Sequence, residues 1–380
     1  MYWYAIASLT PAAWLIVACL WGGAWAWVAL IWVTGLVMLA DRAAHAALAV
    51  RQDAGAIRFA RSLAVGLACV HFAVLALGVR AVAGGAILAP ESGLFTGAGS
   101  GLFQMLALAI ALGMFMGQVS NPNAHELIHA ANRRLRWLGT LVYISLLFGH
   151  HASAHPKVHH VHVATGNDPN SARRGQGFYA FWPRAWIGSF RHGLAAENAT
   201  RRRRPTSPAM LGHPYLAYVG GAFAGLALAF GLAGWAGVLA YMVITTYAQM
   251  QLILADYVQH YGLRRALRDD GRPEPTGPHH SWNAPQWYSS AMMLNAPRHS
   301  DHHTHPMRLF PSLRLDPASM PILPHSLPVM AAIALVPPLW RRVMDPRVAR
   351  WHRAYPTGRH PGGNTHPDTG RTEQTGQTDR

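Results

Sequence analysis

The chain has 380 residues, 51% of them hydrophobic and only 13% charged, with a mean hydropathy of +0.11. That balance excludes an ordinary soluble enzyme domain and points to a bilayer. It carries 32 basic against 16 acidic residues, a formal charge of +16, and 23 histidines. Its two cysteines, Cys19 and Cys69, lie in apolar runs, which excludes a disulfide framework, a Cys-ligated zinc site and an iron–sulfur cluster.

In chain order, residues 1–40 contain no charge, and a span needs about 20 residues. The stretch predicts two membrane helices joined near Gly22 and Gly23, and it is too long for a cleaved signal peptide. A third span is expected from Ser62 to about Ala83, with Arg80 close enough to its end to snorkel. A fourth runs from about Gly101 to Ser120. Residues 205–255 are again uncharged and predict a tight pair turning near Gly231 to Gly234. Met320 to Trp340 is apolar but broken by Pro321, Pro324, Pro328, Pro337 and Pro338, which suits an interfacial cap better than a seventh span. The expected architecture is an all-α integral membrane protein with six transmembrane helices. It divides into a first helix pair with its loop (1–61), helices three and four (62–124), a polar region (125–204), helices five and six (205–262), a second polar region (263–355) and a disordered tail (356–380).

Nearly all the basic charge is arginine, with Lys157 the one lysine, and the densest run is Arg201 to Arg204. Nucleic-acid binding is one reading of so basic a chain. Topology is the better one, because Arg42, Arg51, Arg58, Arg61, the segment from His125 to Arg204 and everything after Asp256 fall on one side of a six-span arrangement. Positive-inside logic makes that side cytoplasmic, and the opposite side receives only two short turns and the loop around Glu91. An inner-membrane protein with cytoplasmic chemistry is expected.

Four histidine groups collect on that side. His125 and His129 are four apart at the end of the fourth span and share a helix face. The same string matches HExxH, in which Glu126 would be the general base of a zinc protease. In His155-Pro-Lys-Val-His159-His160, Pro156 suits the first turn of a helix, with His159 one turn after His155 and His160 about 100° away. Neighbouring histidines facing different directions can serve different metals. His299, His302 and His303 repeat the idea, and His260 emerges at the end of the sixth span. A zinc protease needs three protein ligands, and zinc, copper or nickel would be satisfied with four or fewer. A metal transporter would keep its ligands near the membrane midplane, whereas these nine sit at helix ends or beyond. Two irons with an open position for dioxygen are the economical reading of nine imidazoles.

The order HxxxH, HxxxHH, HYG, HxxHH resembles the membrane-bound alkane hydroxylases (alkane 1-monooxygenases) of the wider membrane desaturase and hydroxylase superfamily. The likeness runs from about residue 101 through Trp351. It includes Asp168-Pro-Asn-Ser-Ala-Arg173 after the second box and Pro338 to Pro346 near the end. Desaturases share the boxes without the HYG segment. The resemblance implies a six-helix funnel over a cytoplasmic di-iron centre, O2 as oxidant, and electrons passed from NAD(P)H through a reductase and a separate rubredoxin or ferredoxin. The family's ligands carry onto His125, His129, His155, His159, His160, His260, His299, His302 and His303. The implied substrate is an alkane taken from among the membrane lipids, since each methylene gains about 0.8 kcal/mol on leaving water. A methyl hydroxylase of alkyl-aromatics (xylene or cymene) and a lipid desaturase or hydroxylase are the nearest alternatives.

Two departures stand out. The family commonly has Glu directly before the first histidine of the second box and before the HYG histidine, where this chain has Ala154 and Gln259. Asp256, Asp301, Glu126 and Asp168 are candidates for orienting ligand rings in their place. His150, His151, His162 and His305 are expected to be supporting or surface residues. Trp14, Trp25, Trp27 and Trp32 are candidates for limiting how deep a chain enters between the spans.

Overall fold

The structure is a computed structural model that describes residues 1–43, 48, 50–88, 100–203 and 212–355. The expected tail 356–380, the loop around Glu91 and residues 204–211, Arg204 included, lie outside the described residues. The described chain is helical and has no strand, only two isolated β-bridges, Leu267 with Pro273 and Asn283 with Ile322.

Five helices are long and apolar enough to cross a membrane: α1 (Tyr2–Trp21), α2 (Ala24–Ala43), α3 (Ala54–Gly84), α4 (Gly101–Ile128) and one of 47 residues, α8 (Pro214–His260). α1 and α2 meet at Gly22 and Gly23, whose φ of 62° and 60° only glycine adopts freely. α3 begins a full two turns earlier than its apolar pattern, because Asp53 caps it by accepting from the Ala56 amide at 2.9 Å. Its first turns therefore carry Arg58 and Arg61.

A straight helix of 47 residues would be about 70 Å long, more than twice the hydrocarbon core. α8 is not straight. Its backbone breaks at Ala233 (φ −157°, ψ 30°) and Gly234 (φ 58°, ψ −149°), and the two limbs fold back on each other. A Cβ placed on Gly225 would lie 2.5 Å from the Tyr241 hydroxyl, eight residues either side of the break. The turn thus falls where the sequence put it, within one glycine-rich stretch.

The remaining helices are α5 (Arg133–Ser145), a short run α6 (His151–Ala154, His155–His159 and His160–His162), α7 (Phe178–Arg202), α9 (Trp287–Met292), α10 (His299–Thr304), α11 (Leu327–Ala334) and α12 (Pro337–Ala354). The Met320 to Trp340 stretch forms no span-length helix among the described residues. Its Leu323, Leu327, Met330 and Trp340 are buried, and α11 packs against α8.

Side-chain amides tie the spans together where the site begins. Asn121 Nδ2 donates to Ala248 O at 3.0 Å and Asn123 Nδ2 donates to Ala64 O at 2.9 Å, bonding the end of α4 to α8 and α3. Asp41 does the same from α2: its carboxylate accepts the Tyr288 and Ser289 amides at the start of α9, each at 3.0 Å.

Candidate metal centre

All nine expected histidines come together, from four separate parts of the chain. They fall into two groups, one of His125, His129, His155, His160 and His302, the other of His159, His260, His299 and His303, with the candidate ligand atoms of each group within 4.8 Å of one another. In the first group His155 Nε2 lies 2.7 Å from His125 Nε2 and 3.0 Å from His160 Nε2, and His160 Nε2 lies 3.0 Å from His302 Nε2. In the second, His299 Nε2 is 3.0 Å from His260 Nε2 and 3.1 Å from His303 Nε2.

Local backbone geometry sorts neighbours between the groups. The second box does not start a helix at His155. The run begins at His151, and His155–His159 is a π turn in which the His160 amide bonds to His155 O, five residues back. Widening the turn brings His155 and His160 onto one face, and His159 turns to the other group. In α10 ordinary α spacing applies, so His299 and His303, four apart, share a group and His302 joins the opposite one. A second π turn, Met116–Ser120, precedes Asn121–Ile128, the segment bearing His125.

Imidazoles pointing their Nε2 atoms at one another cannot all be satisfied by hydrogen bonds among themselves, since each bond needs one protonated and one bare nitrogen. His159 makes the point clearly. Its Nδ1 donates to Asp168 Oδ2 at 2.9 Å, which leaves a lone pair on Nε2, buried and without a hydrogen-bond partner. His129 Nε2 is in the same position. Burial, and then the neighbouring imidazoles, hold His155, His160, His299, His302 and His303 well below the ordinary histidine range. His129 is pushed down to about 4 for the same reasons. The rings are therefore neutral and ready to donate lone pairs to cations. For His159, burial pulls the same way but the Asp168 carboxylate outweighs it and the pKa is raised.

Of the four acids considered for orienting ligand rings, only Asp168 touches one directly. Glu126, the general base of the HExxH reading, instead accepts the Phe310 amide at 3.2 Å and holds the loop after α10. Asp301 clamps Arg308 through both oxygens at 2.6 and 2.7 Å. Asp256 bonds to Asn170, which lies in the segment after the second box that carries the resemblance but has no role of its own assigned by the sequence alone. Of the two departures, Ala154 is buried and Gln259 donates Nε2 to Ala296 O at 3.2 Å. His150 bonds to Ser189 Oγ at 3.2 Å, His151 stacks on Phe148 at 5.2 Å, and His305 lies beside Asp301 at 3.2 Å, largely exposed. Asp168→Asn is expected to weaken metal affinity 10–100-fold, the usual effect of losing such a partner, read by titrating the metal-free protein with ferrous iron.

A third group, Glu274, His279 and His280, was not anticipated. Here His280 Nδ1 accepts the Gly277 amide at 2.9 Å, so Nε2 carries the proton and donates to Glu274 Oε1 at 3.1 Å. That is a structural hydrogen bond of the turn.

A cavity of about 70 Å³ opens beside both histidine groups, lined among others by His125, His155, His299, Asp256, Gln259 and Leu327.

Residues 102–332 match the family described as Fatty acid desaturase. The chain is 33% identical over 268 residues to Alkane 1-monooxygenase 2 of Alcanivorax borkumensis, covering 70% of each chain. The chain belongs to the alkane 1-monooxygenase family. It is also 36% identical over 254 residues to Alkane 1-monooxygenase 2 of Pseudomonas aeruginosa, covering 67% of this chain and 66% of the relative. It is 28% identical over 264 residues to the xylene/toluene monooxygenase hydroxylase component XylM of Pseudomonas putida, covering 67% of each. In a chain of the alkane 1-monooxygenase family, clusters of five and four imidazoles, drawn from the ends of α4 and α8 and from the short helices α6 and α10, suit two borderline metal ions.

Proposed function

We infer that the protein is a di-iron monooxygenase that hydroxylates the terminal methyl of alkanes with O2, giving primary alcohols. The observation that carries this reading is the convergence of nine buried or half-buried imidazoles into groups of five and four, in a chain of this family. In the proposed assignment His125, His129, His155, His160 and His302 hold one iron, and His159, His260, His299 and His303 hold the other. Bound iron supplies the activation of dioxygen that an unreactive C–H bond requires and no side chain offers. One oxygen atom enters the alcohol, and the other leaves as water with two protons and two electrons.

The residues of the chain supply position and dryness. Burial keeps the rings of His129, His155, His160, His299, His302 and His303 neutral, Asp168 orients the His159 ring, and the cavity beside both groups receives the reacting end of the substrate. Its volume of about 70 Å³ is about half of the roughly 150 Å³ that accommodates benzene in an engineered cavity. This favours the end of an alkyl chain over an aromatic ring.

Electrons come from another protein, a rubredoxin or ferredoxin supplied by an NAD(P)H reductase, since Cys19 and Cys69 are both free and sit within separate membrane helices. The arginine-rich side, which carries the clusters, faces the cytoplasm across the inner membrane, with six crossings if each limb of α8 counts as one.

The test is purified protein assayed for iron and for 1-octanol from octane, with an electron carrier and reductant, beside p-xylene. Two irons and octanol are expected; two irons with product from p-xylene alone would move the assignment to alkyl-aromatics, and no product from either would sink it. Chain length is a separate matter. Trp14 stacks on Trp25 at 5.6 Å and lies 5.9 Å from Trp32, and Trp25 and Trp27 are each 41% exposed. Trp14→Ala is expected to shift product in a mixture of octane and hexadecane towards the longer alcohol; an unchanged ratio removes the idea of a gate there.

A further inference from the structure

Asp256 is buried on α8, one turn before His260, and among the described residues no ion pair reaches it. An uncompensated carboxylate in such surroundings is expensive. Its hydrogen bond is specific: Asn170 Nδ2 donates to Asp256 Oδ2 at 2.6 Å. The Asn170 amide in turn donates to Asp168 Oδ1 at 3.0 Å, and Asp168 Oδ2 accepts from His159 Nδ1 at 2.9 Å. Asp168, Asn170 and Asp256 are all buried.

The result is a continuous polar chain from His159 through a loop to the helix that carries His260. Those two rings belong to the same group, with centroids 4.7 Å apart. They come from elements distant in sequence, so something must fix one against the other. Packing alone leaves an imidazole some freedom about its side-chain torsions, and a charge-assisted bond of 2.6 Å does not. Charge argues the same way. Nine imidazoles are neutral ligands, so two divalent cations bring positive charge that nearby carboxylates must offset, and Asp256 lies on the same hydrogen-bonded chain as Asp168. Gln259, directly before His260, contributes none of that charge and bonds away to Ala296 O.

We propose that Asp256 is a positioning residue for the four-histidine cluster, acting through Asn170 and Asp168 on His159 and fixing that ring relative to His260. The proposal rests on the two-metal reading, and metal content tests the two separately. Full-length protein in nanodiscs, stripped of metal and titrated with ferrous iron and in parallel with Co(II), is expected to take up two ions per chain. Asp256→Asn is expected to bind the first ion as before and the second 10–100-fold more weakly, with the Co(II) absorption of one site lost. Asn170→Ala, which leaves both carboxylates in place, is expected to do the same. Asn170→Asp alone sets two carboxylates against each other and should also weaken the second site. Combined with Asp256→Asn it restores one carboxylate facing one amide and should recover the second site.

Wild-type protein that binds fewer than two ions would overturn the two-metal reading and the proposal with it. Wild-type protein binding two ions beside an Asp256→Asn variant of unchanged affinity would overturn the proposal alone. So would equal weakening at both sites, or no recovery in the double variant, since a general role in folding would produce that pattern.

Discussion

A His160→Ala variant is expected to keep about one iron per chain instead of two, and to lose octanol formation by more than the roughly 100-fold typical of a supporting residue. His160 Nε2 stands 3.0 Å from both His155 and His302, in the midst of the five-histidine group, so its removal takes a donor from the centre of that site. His159→Ala, one residue away, is expected to give the complementary protein, in which the four-histidine site is the empty one. The two single-metal proteins should differ in their Mössbauer spectra, because one retains a site of five imidazoles and the other a site of four. Matching spectra, or two irons retained in either variant, would sink the assignment of adjacent histidines to different metals.

Metal removal is expected to lower the thermal unfolding midpoint by about 10 °C. The groups draw on α4, α6, α8 and α10, so a bound ion ties together elements that share no sequence neighbourhood. Two ions, each present at 1,000 times its Kd, stabilise the folded state by about 8 kcal/mol, and in a chain of 380 residues each kcal/mol moves the midpoint by about 1.3 °C. Scanning fluorimetry of the metal-free protein in detergent, with and without restored ferrous iron, measures the shift. A midpoint indifferent to iron would mean that the histidine groups are held by the helices alone.

The membrane helices were legible because charge is so costly in a bilayer that its absence over residues 1–40 and 205–255 carries the information by itself. The break of α8 was legible for a local reason, since Gly234 adopts a φ of 58° that other residues avoid. The nine histidines were legible as a set because their spacings are helical and their positions fall on one side of the spans. Resemblance to a family then implied what spacing could not, an oxidant, an electron carrier and a substrate class.

What the sequence could not reveal is how the set divides. HxxxHH predicts an α turn with His155 and His159 on one face, and the π turn at His155–His159 pairs His155 with His160 instead. One hydrogen bond shifted from four residues to five decides it, a difference small in energy that surrounding packing settles. The roles of the acids were equally hidden. Glu126, Asp301, Asp168 and Asp256 all lie close to boxes in sequence, yet one anchors a loop, one clamps an arginine, one holds a ring and one holds the loop behind it. A carboxylate's role depends on which donor it meets, and donors such as the Phe310 amide and Asn170 arrive from distant segments. The sequence by itself determined which segments are apolar enough to cross a membrane and which histidines gather at one end of them, because solvation and helical period are local properties. Only the tertiary structure decided how the nine imidazoles divide into groups of five and four and which donor each acid meets, because those depend on directions in space that chain folding creates.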